Sequence, residues 1–414
     1  MRKLFVLVML GCMLISFIPE LNGGTVSAKG KPTYKISPAS ITYKKRLMNV
    51  STYNKHTKHY YLLRTYLERL EQTGGGTLVL KRGTYSISNA LYVPSNVTIQ
   101  LENGAKILKT MKTGTRVFGP AASLFHFVRP SRSHKRSAYG GYSGEKNIAF
   151  IGKGNATINM NFAKNGNVLL AGHNQNLKIE GIRFENINGG HFIEIDATKN
   201  SVIRNNIFIG SKPTTGLNKE AINIDTPDKS TQGFNVVWSK QDKMPNRDIL
   251  IEGNRFEDLD RAVGTHKYSE GKLHDNVVIR GNTIDRMRSD AIRVMNWSNA
   301  VIEDNTIKNV NTGKANNRGI LASGASNPTF RNNLFISVPR AMQFMVWKNS
   351  GPGSQYGIIY NSLTEQNIED LKTNRIVDFK ENFIRINTEY DKFDKSTTQI
   401  IPVLTEEVLL LNNG

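Results

Sequence analysis

The sequence predicts an all-β fold, a single parallel β-helix (β-solenoid) whose coils stack along one axis. Three observations point there. A strand-turn-strand segment recurs at intervals of about 24 residues, each copy places the same residue types at its turn, and no 3.6-residue apolar periodicity runs through the copies. The last excludes helical solenoids. The first two describe units that bury an apolar face only by stacking on one another.

Six segments carry the repeat: NLKIEGIRF from Asn176, SVIRNNIF from Ser201, DILIEGNRF from Asp248, NVVIRGNTI from Asn276, AVIEDNTI from Ala300 and PTFRNNLF from Pro328. Their matching apolar residues are Ile179, Ile203, Ile251, Ile279, Ile302 and Phe330, with weaker copies upstream at Asn147 and Asn96. The turn positions Gly181, Asn205, Gly253, Gly281, Asp304 and Asn332 are residue types that tolerate a left-handed backbone. After Ile182, the next column is Asn206, Asn254, Asn282, Asn305 and Asn333, amides able to hydrogen-bond up the stack. The interval before Asp248 is about twice the others, which places a loop insertion at residues 226–246.

The other elements follow in chain order. Arg2 and Lys3 precede an apolar run from Leu4 to Ile18, and Val26-Ser27-Ala28 offers a cleavage site, so residues 1–28 read as a signal peptide of a secreted bacterial protein. Lipoprotein processing at Cys12 ranks second, because the apolar run continues past it. Cys12 is the only cysteine, so no disulfide is expected after export. Residues 29–54 read as a basic N-terminal segment. Residues 55–73 carry Leu62, Leu63, Tyr66, Leu67 and Leu70 at helical spacing and are expected to cap the stack. Coils continue to residue 379, and 380–414 form a C-terminal cap or tail. No later stretch reaches the ~18 apolar residues of a membrane span.

Gly74-Gly75-Gly76-Thr77, Gly83-Thr84-Tyr85, Ser95-Asn96-Val97-Thr98 and Gly104-Ala105 resemble the N-terminal opening of the pectate-lyase/polygalacturonase superfamily of right-handed parallel β-helix proteins. With the coils, the resemblance covers most of residues 55–350. It implies a right-handed coil and does not single out a reaction, because enzymes and phage tailspikes share the fold.

The third strand of each coil carries the chemistry. It reads HFIEID from His191, EAINID from Glu220, RAVGTH from Arg261, DAIRVM from Asp290, RGILAS from Arg318 and RAMQFM from Arg340. The third and fifth places are apolar and face the core, and the second is small. The polar first column is His191, Glu220, Arg261, Asp290, Arg318 and Arg340. The fourth adds Glu194, Asn223 and Arg293, and the sixth Asp196, Asp225 and His266. Stacked strands lie about 4.8 Å apart, so neighbouring coils bring these side chains into reach.

Glu220 and Asp290, two coils apart, are expected to share the acid and base roles of glycosidic hydrolysis, with His266, Arg261 and Arg293 completing the catalytic set. His191, Glu194, Asn223, Asp225, Lys267, Tyr268, Trp238, Trp297 and Arg318 are expected to bind substrate, the aromatic rings against sugar faces. The layout is similar to polygalacturonase-like enzymes, but their Asp-Asp, Gly-His-Gly and Arg-Ile-Lys motifs are absent, so no role is carried over from them. Two alternatives stand beside hydrolysis. One is β-elimination on a polyuronate, with His266, Tyr268 or an arginine as base and Arg261, Arg293 or a calcium ion on the carboxylate. The other is a non-catalytic wall- or polysaccharide-binding solenoid. No cofactor is required; Ca²⁺ is the candidate ion, with Asp196, Asp225 and Asp228 as ligands.

Charge points to the partner. Lys and Arg number 55 against 34 Asp and Glu, a net +21, and removing residues 1–28 with their two basic groups and one acid leaves +20. An exported chain this basic suits an acidic polysaccharide or an anionic cell wall. No nucleic-acid motif is present. A monomer is expected.

Overall fold

In the computed structural model, which describes residues 30–311, 317–348, 356–392 and 398–404, parallel strands wind into three walls around one apolar core. The first wall is the repeat itself. Ile179 pairs with Ile203, and the register continues through Ile251, Ile279 and Ile302 to Phe330. Upstream, Phe150, Ile99 and Leu78 extend the same inward column.

The turn chemistry follows the residue types. Gly181, Asn205, Gly253 and Asp304 all have positive φ, between +54° and +72°. Behind them the buried amides form a ladder: Nδ2 of Asn206 donates to Asn254, Asn254 to Asn282, Asn282 to Asn305, Asn305 to Asn333 and Asn333 to Asn374, at 2.9–3.1 Å. In the second wall Phe184, Phe208 and Phe256 stack with ring centroids 4.9 Å apart. Each such pair adds about 0.5–1.5 kcal/mol beyond its burial.

The third wall, built from the strand that follows, holds the polar columns. Ile193, Ile222, Val263, Ile292, Ile320 and Met342 align inward, while Glu194, Asn223, Gly264, Arg293, Leu321 and Gln343 align outward.

Both ends are covered. The helix Lys58–Gln72 buries Leu62, Leu63, Leu67 and Leu70 against the core. The segment 29–54 is more than a basic lead-in, because Thr33–Ile36 pairs residue for residue with Thr77–Leu80 and opens the first wall. Burial of Ile36, whose carbonyl accepts from the Tyr85 hydroxyl at 2.8 Å, holds it there. At the other end a helix, Glu365–Lys372, is capped by Thr364, and Arg375–Phe379 and Ile384–Ile386 add to the second and third walls. The expected signal peptide lies outside the described residues, as do residues 405–414. Among the described residues, no helix is long and apolar enough to cross a membrane.

Residues 226–246 lie against the outside of the third wall. Phe234 and Trp238 pack with Val128, Tyr139 and Leu170 in a second, smaller apolar cluster. Gly172 is the seat for the Phe234 ring, since a methyl group at that position would overlap it. Gly172→Ala is therefore expected to destabilise the protein by about 1–3 kcal/mol. It should also expose residues 226–246 to limited proteolysis, read by mass spectrometry of the first cuts.

Candidate active-site cleft

Between that insertion and the third wall lies a cleft of about 270 Å³. His191, Glu194, Lys219, Asp225, His266 and Lys267 line its polar side, and Phe234 and Val236 the other. Strand register places the polar groups: Glu194 sits beside Asn223, and Asp196 beside Asp225, on the outward face.

The two histidines differ in state. His191 Nδ1 donates to the Glu220 carbonyl at 2.6 Å, which leaves Nε2 as the atom facing Glu194 Oε2 at 3.6 Å. Burial, with Lys219 and His266 nearby, lowers the His191 pKa to about 3, so the ring is neutral. His266 Nδ1 meets two acceptors, Glu220 Oε2 and Asn223 Oδ1, both at 3.1 Å. Burial opposes a charge on His266, but the Asp225 and Glu220 carboxylates prevail and raise its pKa.

The carboxyls divide in the same way. Burial and the neighbouring Asp225 push Glu194 up to about 7, against the pull of His266 and the Asn223 amide, which donates to Oε1 at 3.0 Å. Asp196 is raised well above the ordinary range by burial, then by Glu194 and Asp225. Its carboxyl couples to that of Glu194 through a side-chain hydrogen bond, and its oxygens meet no other donor among the described residues. Asp225 Oδ1 accepts from the backbone N–H groups of His266 and Lys267, each at 3.0 Å. One carboxyl is held with its proton near neutrality while its neighbour is fixed by donors, the arrangement acid–base catalysis uses.

The first column does something else, and this corrects the catalytic assignment. Arg261 lies between Glu220 and Asp290, with Nη1 3.1 Å from Glu220 Oε1 and Nη2 3.8 Å from Asp290 Oδ2. Arg318 closes the other side of Asp290, from its backbone N at 2.9 Å and its guanidinium at 3.4 Å. Although burial works against it, Glu220 is held far below the ordinary carboxylate range by His266 and Arg261. A carboxylate so stabilised neither gives nor takes a proton near neutrality. This column is a buried ion-pair ladder, and Arg318, also bound to Gln343 Oε1 at 2.9 Å, belongs to it rather than to a substrate surface.

Three aromatic expectations are overturned. Trp238 is buried where the insertion packs on Val128, Tyr139 and Leu170, and Tyr268 and Trp297 are fully buried. The strand Ile292–Ser298 bends round a corner, pairing at Trp297 with His274 of the first wall, so the indole turns into the core and donates to Thr265 Oγ1 at 2.8 Å. Arg293 stacks on the Trp347 ring at 5.5 Å and lies outside the cleft lining. Burial, then Arg261, lowers its pKa to about 10, which leaves it cationic.

The calcium set does not assemble. Asp228 is taken up by Ser269 Oγ at 2.7 Å, Ser230 N at 2.8 Å and the Tyr356 hydroxyl. Among the described residues, His191, Glu220 and His266 are the group whose ligand atoms lie within 4.8 Å of one another. With Glu220 bound to Arg261 and to His266 Nδ1, and His191 Nδ1 on the Glu220 carbonyl, that group fits an ion-pair cluster better than a metal.

Lys219, Asn165 and Asn167 also line the cleft and escape the sequence reading. Asn167 occupies the first place of a further third-wall coil, NVLLAG. Leu170 and Gly172 stand there where other coils carry polar groups, which hides the match.

A family model described as "Right handed beta helix region" matches residues 230–370. A Streptococcus pneumoniae protein, "Plasmin and fibronectin-binding protein A", is 22% identical over 253 residues, 56% of this chain and 34% of that protein. The chain thus matches about a third of that relative's length. Two solved structures of the pneumococcal surface adhesin PfbA superpose with TM-scores of 0.54 and 0.55 at 16% and 17% identity. The first covers 85% of this chain and 91% of the other, the second 87% and 80%. The chain is a right-handed parallel β-helix. On this β-helix the cleft lies on the outer face of the third wall, where the insertion overhangs it.

The raised Glu194 pKa carries a stability cost with a definite sign. A group that binds its proton more tightly when folded stabilises the fold fully below its ordinary value of 4.5 and loses that contribution as pH rises through about 7. Buried neutral histidines such as His191 act in the opposite direction, so the difference between variants isolates the effect. Glu194→Gln is expected to match wild type in melting temperature near pH 4 and to gain on it steadily toward pH 8 by calorimetry.

Proposed function

We propose that this β-helix is an exported carbohydrate-active enzyme that hydrolyses glycosidic bonds of an acidic polysaccharide in the cleft. The observation that carries this is Glu194, a carboxyl that keeps its proton near neutrality while facing an open cleft. In this reading Glu194 protonates the leaving glycosidic oxygen. Asp225 takes a proton from the attacking water, its orientation fixed by the two backbone donors. Lys219 and Lys267 line the same cleft and provide positive charge for acidic substituents. Elimination is less well served: the Asp225 and Glu220 carboxylates raise the His266 pKa, which works against a base there, and Tyr268 is buried.

The similarity to PfbA favours a second reading, a surface protein that binds its partner without turnover. Incubation with polygalacturonate, hyaluronan and alginate separates the readings. New reducing ends without absorbance near 232 nm are expected. Absorbance growing at 232 nm would replace hydrolysis with elimination, and binding with neither signal would leave the adhesin-like role.

A further inference from the structure

The N-terminal end of the stack carries a second cavity, of about 320 Å³, between the capping helix, the coil Asn89–Tyr92 and the segment 118–134. Its walls are aromatic. The Tyr60 and Phe118 rings lie 5.6 Å apart, and Tyr92 stands edge-on to His134 at 5.6 Å. Arg64 lines it, 5.9 Å from the Tyr60 ring. Its partner Glu68 is bound by Arg64 at 2.7 Å and by Lys44 at 2.6 Å, so the group keeps one net positive charge.

The surroundings are more basic still. Between Glu102 and Glu145 the chain has eight Lys or Arg and neither Asp nor Glu. Lys109 is buried and Arg129 pairs with Glu145, but Lys112, Arg116, Arg132, Lys135 and Arg136 are exposed. From the helix, Glu71 reaches this region and accepts from the Ser131 N–H at 3.2 Å.

We propose that this cavity is a second binding site, for an anionic sugar unit of an acidic glycan. The half-buried Tyr92 and Phe118 supply faces for the sugar ring, and Arg64 with the exposed cations meets a carboxylate or sulfate on it. A cavity this size sits at the low end of the ~300–1,000 Å³ range of ligand pockets and suits one or two rings. The site stands apart from the cleft. Tyr92 is joined to Glu194 through the outward column Tyr92, His126, Leu170, Glu194, three coils or about 14 Å, and the insertion covers Leu170 between them. It therefore holds whether or not the cleft is catalytic.

Hydrogen–deuterium exchange of the whole chain tests it with three probes: a galacturonate hexasaccharide, a heparin hexasaccharide and neutral cellohexaose. Protection of residues 58–68 and 118–136 by a charged probe, and none by cellohexaose, is expected. Protection by galacturonate assigns carboxylate recognition, and by heparin alone, sulfate recognition. Arg64→Gln with His134→Ala should weaken that binding about tenfold. The exposed set Arg132→Ser, Lys135→Ser and Arg136→Ser, which leaves the core untouched, should weaken it about fivefold and flatten its salt dependence. Protection confined to residues 189–194 and 219–225 would overturn this site while leaving the cleft. Equal protection by cellohexaose, no protection at all, or wild-type affinity in both folded variants would also overturn it.

Discussion

Glu194→Gln is expected to lower hydrolysis of the susceptible acidic polysaccharide by about 10²–10⁴-fold, measured as reducing-end release at pH 6–7. The substitution is close to isosteric. A glutamine carbonyl can still accept from the Asn223 amide, and its NH₂ group faces His191 Nε2, an acceptor because the ring proton sits on Nδ1. A buried glutamine also costs no more than a buried protonated carboxyl. What is lost is the ability to hand a proton to the departing oxygen. Retained turnover in a folded Glu194→Gln protein would remove Glu194 as the acid.

Arg261→Met is expected to cost about 3–5 kcal/mol of stability, because it removes the guanidinium shared by two buried carboxylates and leaves Glu220 to His266 alone and Asp290 to Arg318 alone. Glu220→Gln should cost less, about 1–3 kcal/mol, since Arg261 keeps Asp290 and a glutamine carbonyl can still meet His266. Combined, the two substitutions should cost less than the sum of the singles, as coupled partners do. Urea titration of the three variants measures this. Glu220→Gln should keep substantial turnover wherever it is folded; its complete inactivation at wild-type stability would return Glu220 to catalysis.

The walls were legible in the sequence because period and residue type coincide. Ile179, Ile203 and Ile251 recur at one place in the strand, and Asn254 or Asn282 at one place after the turn, so stacking alone explains both columns. The columns of the third wall were legible for the same reason. Their chemistry was not. Spacing puts Glu220 next to Arg261 but does not say that the guanidinium consumes both neighbouring acids. Glu194 owes its raised pKa to burial and a neighbouring charge, and the insertion that walls its cleft is supplied by residues some forty positions on. Trp297 was misplaced because the two-residue alternation fails where a strand bends round a corner. Thr33–Ile36 was missed because four residues ahead of the repeat carry too little pattern to align.

A titration of the Glu194 carboxyl decides whether the cleft holds a usable acid. The resonance can be followed by ¹³C NMR in protein labelled at glutamate side chains and assigned by its loss in Glu194→Gln. A midpoint near pH 7 that falls when Asp225→Asn removes the neighbouring charge is the expected result. A midpoint at the ordinary 4.5, insensitive to Asp225, would mean that Glu194 is no proton donor near neutrality and would remove the carboxyl on which the hydrolase reading rests.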